Sequence, residues 1–173
     1  MCGSVKIVGK EMTSSLSGRS QAVASDTFSE VTADVLASGC GVCFRATGGS
    51  MNPTIKAGEK ITVEPVAPRA VKVGDIILYW NHRGVIAHRV VRIERTPGDD
   101  WVFLLRGDAA GACDAPVESG RILGKVLSVE REGCSISLCS RKAKLLWALR
   151  SGARHIKRRV CGQASPLAFG HAK

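Results

Sequence analysis

Between residues 42 and 138 the chain runs in short apolar stretches, each of strand length. Residues 42–46, 60–66, 75–80, 85–93, 101–106, 122–131 and 135–138 are rich in Val, Ile and Leu, the composition of strands with at least one buried face. Clusters of turn formers separate them: Lys56-Ala57-Gly58, Val73-Gly74-Asp75, His82-Arg83-Gly84, Pro97-Gly98-Asp99-Asp100 and Glu132-Gly133. Strands at this spacing, with no βαβ alternation and no internal repeat, predict a mainly β domain built as a compact antiparallel sheet or barrel.

The pattern changes at both ends. Phe28, Val31, Val35 and Leu36 recur at helical spacing behind a capping pair, Asp26-Thr27, which predicts a short amphipathic helix over 27–38 that stops near Gly39. Residues 1–26 are polar and Ser-rich, the makeup of a flexible or loosely held arm. Over 141–160, Leu145, Leu149, Gly152, Ile156 and Val160 form one stripe among Arg and Lys, with Trp147 near its edge. That reads as a basic amphipathic helix followed by a tail to residue 173. The expected organisation is therefore an arm (1–26), a single domain (27–140) and a basic helix and tail (141–173).

Charge sharpens this division. Residues 1–140 hold 16 Lys and Arg against all 15 acids, whereas 141–173 hold the other 9 basic residues and no acid. The body is close to neutral, and an anionic partner belongs at the C-terminus. The longest apolar stretches are strand-sized, well short of the roughly 18–20 residues that cross a bilayer. The first 30 residues contain no apolar export core, so a cytoplasmic or peripherally membrane-associated protein is expected. Seven cysteines in that setting are read as mostly free thiols. Cys40-Gly41-Val42-Cys43 has no second pair and no nearby His to complete a zinc site, so the pair is read as small buried residues entering a strand. Cys113, beside Asp114, is likewise read as packing. No metal or cofactor is expected.

The candidate chemistry lies in three separated stretches. Ser50 follows Gly48-Gly49 and precedes Pro53, a glycine-rich turn that can hold a hydroxyl clear of secondary structure. A serine hydroxyl is a poor nucleophile until a base accepts its proton. His88 sits in the alternating run 85–93 and shares a sheet face with Ile86 and Val90; an imidazole on a rigid strand suits that base. A carboxylate would then hold the imidazole in the right tautomer, and the turn 107–114 offers Asp108 and Asp114. The set Ser50, His88 and one of these acids is the equipment of an acyl-transfer hydrolase.

The same residues resemble the signal peptidase I family, in the wider group that includes the self-cleaving SOS and phage repressors. Gly48-Gly49-Ser50-Met51-Asn52-Pro53-Thr54-Ile55 is similar to that family's nucleophile box and Lys72-Val73-Gly74-Asp75-Ile76-Ile77 to its second box. Ala87-His88-Arg89-Val90-Val91 resembles the base-bearing strand. Leu105-Arg106-Gly107-Asp108, continuing to Asp114 and to Gly124-Lys125-Val126, resembles the Gly-Asp box and final strand. Histidine rather than lysine at 88 resembles the archaeal and endoplasmic-reticulum branch. The resemblance implies Ser50 as nucleophile, His88 as base and Asp114 as orienter, with Asp108 supporting the site and the two acids able to exchange roles. Gly48 and Ala109 stand where the family usually has serine and asparagine, and the family's transmembrane anchor is missing.

The resemblance implies an endopeptidase that cuts leader or signal segments of precursor proteins bound as an extended strand, with small residues before the scissile bond. The basic helix would reach an anionic membrane surface. Two other classes fit parts of the chain: a self-processing, repressor-like regulator whose basic tail touches nucleic acid, and a catalytically weak relative used for peptide binding. Residues 1–40 are too short and polar for a helix-turn-helix domain, which weighs against nucleic acid as a partner.

Overall fold

The computed structural model describes residues 5–6, 18–82 and 84–140, with positions 142, 145, 147 and 149 of the C-terminal segment. The protein is mainly β. One sheet contains β1 (Val5–Lys6), β2 (Val42–Arg45), β3 (Lys60–Pro65), β4 (Ile76–Asn81), β5 (Gly84–Arg95), β6 (Trp101–Arg106), β7 (Val117–Glu118), β8 (Ile122–Arg131) and β9 (Cys134–Ser137). The strand order is β1-β2-β3-β8-β4-β5-β6-β7, with β9 also on β8. Among the described residues only β1 pairs in parallel, against β2. The path through those residues does not return on itself, so the sheet is open rather than a closed barrel.

β8 is the hinge of this arrangement. One of its edges pairs with β3 along most of its length. The other is divided, Ile122–Lys125 running against β4 and Ser128–Arg131 against β9. The sheet contributes to two cores. The first gathers Val42, Met51, Ile55, Ile61, Val63, Ile76, Leu78, Val126 and Val129; the second gathers Val71, Ile77, Tyr79, Val90, Phe103, Leu105 and Val117. β4 alternates between them, Ile76 and Leu78 facing one core and Ile77 and Tyr79 the other. A strand buried on both faces needs an unbroken apolar run, which is why Ile76-Ile77-Leu78-Tyr79 has no polar interruption.

Helix α1 (Gly18–Ala37) packs on the first core. It begins earlier than the Asp26-Thr27 pair suggests, because no Gly or Pro interrupts the chain from Arg19 to Ser38. It ends where Gly39 adopts a left-handed φ of 84°. Its buried stripe also differs from expectation: Ser29, Thr32 and Leu36 are buried, with Phe28 and Val35 beside them, while Val31 is exposed. The stripe centres on Thr32, and Val31 lies about 100° around the helix from it. Ser29 Oγ accepts a hydrogen bond from Val85 N at 3.2 Å, seating the helix on the β4–β5 hairpin. The hairpin residue Gly84 (φ 101°) permits this approach, since a Cβ there would lie 2.7 Å from Ser29 Oγ.

In the C-terminal segment, positions 142, 145, 147 and 149 are helical. Leu145 and Leu149, expected to line one apolar stripe, are exposed. Trp147 is half-buried and lies over the Arg89 guanidinium, 5.2 Å from ring centroid to Cζ. Gly152, Ile156 and Val160 lie outside the described residues. No helix among the described residues is long and apolar enough to cross a membrane.

Candidate active site

The serine turn hangs between β2 and β3, which are tied at its base by Ala46 N to Glu59 O (2.8 Å) and Gly58 N to Ala46 O (2.7 Å). Met51 and Ile55 plug it into the first core, and the bond from Ile55 N to Met51 O (3.0 Å) closes it. Burying those two side chains stabilises by about 1.5–3 kcal/mol each, while Ser50 between core and solvent stays exposed. Gly48 and Gly49 act differently from expectation. Neither has a left-handed φ, and a Cβ on either would meet nothing within 4 Å. They leave the approach to Ser50 open; they are not what makes the turn.

β5 delivers His88 to one face of the sheet and Arg89 to the other, as successive strand residues must. His88 is buried. Its Nε2 lies 2.9 Å from Ser50 Oγ, and its Nδ1 lies 2.5 Å from Asp114 Oδ2. An ionised carboxylate only accepts hydrogen bonds. Nδ1 therefore carries the proton toward Asp114, leaving the Nε2 lone pair to accept from the serine hydroxyl. Asp114 is held in place by its own backbone, Asp114 N donating to Leu105 O at 2.8 Å.

Asp108 occupies a different position. Arg89 grips it with two bonds, Nε to Oδ1 at 2.8 Å and Nη2 to Oδ2 at 2.6 Å. Thr54 Oγ1 also donates to Oδ2, and the third arm of Arg89 reaches Gly74 O at 2.9 Å. Both members are buried, with side chains 3% and 6% exposed. Next to this clamp, Ala109 N donates to Ser50 O at 2.8 Å, so the turn after β6 fastens the backbone of the serine turn. Gly107 makes the approach possible: a Cβ there would lie 2.6 Å from Ser50 O and 3.2 Å from His88 Nε2. Of the two acids that the sequence leaves interchangeable, Asp114 contacts His88 and Asp108 is engaged by Arg89 and Thr54.

Three contributors are not singled out by the sequence. Thr54 and Arg89 fall inside the two motifs that hold Ser50 and His88, but only alternation along β5 hints that Arg89 faces away from His88. Tyr79 Oη donates to Asp114 Oδ2 at 3.1 Å, although the sequence offers it only as part of an apolar run. Burial pushes its hydroxyl up to about 12, with the Asp114 charge adding to the effect and a hydrogen bond with Asn81 opposing it. The described cysteines form no disulfide; Cys40 and Cys43 are half-buried, but Cys113 is exposed rather than packed. Among the described residues no group of three His, Cys, Asp or Glu is arranged to hold a metal ion.

Compared with known proteins, the chain matches no family model, and no curated protein matches its sequence.

Proposed function

We propose that the protein is a serine endopeptidase of the signal-peptidase type, with a fold of the kind shared by signal peptidases and self-cleaving repressors. Its substrates are leader or signal segments of precursor proteins, bound as extended strands. The observation that carries this reading is the continuous chain Ser50 Oγ to His88 Nε2 (2.9 Å) and His88 Nδ1 to Asp114 Oδ2 (2.5 Å).

In this mechanism Ser50 Oγ attacks the scissile carbonyl as its proton passes to His88 Nε2. The imidazolium is stabilised by Asp114, then gives the proton to the leaving amine. Water, deprotonated by the same ring, hydrolyses the acyl-enzyme and restores the serine. The Ser50 N–H and a second backbone donor receive the oxyanion, since Gly48 supplies no hydroxyl. Open space at Gly48 and Gly49 suits a substrate strand arriving there. A basic C-terminal segment with Leu145 and Leu149 exposed suits an anionic bilayer surface, where each basic residue contributes about 1 kcal/mol. Vesicles containing phosphatidylserine should retain the protein at low salt.

A serine-directed fluorophosphonate tests the catalytic reading. Wild-type protein should gain one adduct, mapped to Ser50, and Ser50→Ala none. Equal labelling of both would remove Ser50 as the nucleophile. Intact mass after prolonged incubation addresses self-processing, which would divide the chain into two fragments.

A further inference from the structure

Asp114 Oδ2 is shared. It accepts from His88 Nδ1 at 2.5 Å and also from Tyr79 Oη at 3.1 Å. Tyr79 reaches it from β4, its ring tilted 49° to the His88 ring with centroids 6.2 Å apart, and its side chain lies within the second core. We infer that Tyr79 is a positioning residue that fixes the Asp114 carboxylate and sets the basicity of His88 by competing for the same oxygen. This rests on the reading of Ser50, His88 and Asp114 as one catalytic unit.

The effect is electrostatic as well as geometric. A carboxylate held by a single hydrogen bond can turn about its Cβ–Cγ bond, whereas one held from two strands cannot. The tyrosine hydroxyl also draws off part of the negative charge on Oδ2. The imidazolium formed during acylation is then less stabilised than it would be beside an unshared carboxylate. Because the hydroxyl keeps its proton to about pH 12, it remains a donor to the Asp114 carboxylate over the working range. Other ionisable groups lie on the surrounding strands and turns. Asp75, just before β4, pairs with Lys125 of β8 at 3.1 Å, and Arg89 of β5 pairs with Asp108 on the opposite face. Arg106 ends β6, and Cys113 next to Asp114 is exposed.

Tyr79 is the chain's single tyrosine, so residue-specific incorporation of 3-fluorotyrosine alters this position alone. The fluorinated phenol is more acidic and a stronger donor. The experiment measures the fluorophosphonate acylation rate of the full chain against pH for wild type, Tyr79→Phe, the fluorotyrosine protein and Ser50→Ala. In Tyr79→Phe the acid limb of the profile should move to higher pH and the plateau fall by about tenfold. In the fluorotyrosine protein the acid limb should move to lower pH. Opposite displacements are not what general loosening of the core produces. Superposed profiles, or shifts in one direction for both proteins, overturn the role of Tyr79. An inert Ser50→Ala with superposed profiles would remove only this inference; a Ser50→Ala as reactive as wild type would remove the catalytic reading and this inference with it. Should Tyr79→Phe fail to fold, the fluorotyrosine protein decides alone, since it keeps the hydroxyl and adds one atom.

Discussion

The two faces of β5 carry two ion-pairing groups built from the same turn, and they differ in kind. On one face Asp108 is enclosed by Arg89, Thr54 and the Ser50 turn, and its partner is a guanidinium that never loses its charge. On the other face Asp114 is 26% exposed at its side chain and pairs with a histidine whose charge depends on protonation. The first arrangement has no state to change into, so it can only hold shape. The second holds a histidine, whose ring can take and return a proton, which is what the proposed chemistry requires. One strand thus supports a fixed clamp and a titratable relay back to back, and the 107–114 turn joins them.

This contrast is sharpened first by Asp114→Asn. The amide carries no charge and can donate its NH2 to Nδ1, favouring the other tautomer of His88, so acylation of Ser50 should slow by about 10⁴-fold with little change in denaturation midpoint. The mirror variant is Arg89→Met, which leaves Asp108 buried without its cation. It should cost about 3–5 kcal/mol of stability, read as a lowered denaturant midpoint, and a well-folded, fully stable Arg89→Met would break the distinction between the faces. A smaller effect should appear in alkali. Folded Tyr79 releases its proton only near pH 12, whereas in the unfolded chain it does so near its ordinary value of 10. The unfolded state therefore loses the proton first as pH rises, and stability present below pH 10 should decline toward pH 12 by roughly 2–3 kcal/mol. The denaturation midpoint of the wild type should fall over that window, and that of Tyr79→Phe should lack this component of the fall.

Much of this architecture is legible in the residues. Strands β2 to β6, β8 and β9 follow from apolar runs between turn clusters, because each buries side chains in at least one core or pairs with a strand that does. The two-residue strands β1 and β7 leave no periodicity to read. The start of α1 is hidden because Asp26-Thr27 offers a ready cap within a stretch where nothing stops the helix. At the site, Ser50 and His88 stand out by residue type and setting. The division of labour between Asp108 and Asp114 does not, because it depends on which face of β5 each acid meets. Tyr79 is hidden for another reason: its ring fills a core position that Phe would fill as well, and only the hydroxyl, aimed at a residue far along the chain, distinguishes it. Trp147 illustrates the same limit. It lies over Arg89 while Leu145 and Leu149 stand exposed, the reverse of what the stripe alone suggests.

The central claim is that one imidazole activates one hydroxyl. Its most direct test is the fluorophosphonate acylation rate of Ser50 in His88→Ala relative to wild type, with the modified residue identified by mass. Acylation should be slower by at least about a thousandfold in a protein that still melts cooperatively. A His88→Ala protein that acylates Ser50 at the wild-type rate would contradict the claim.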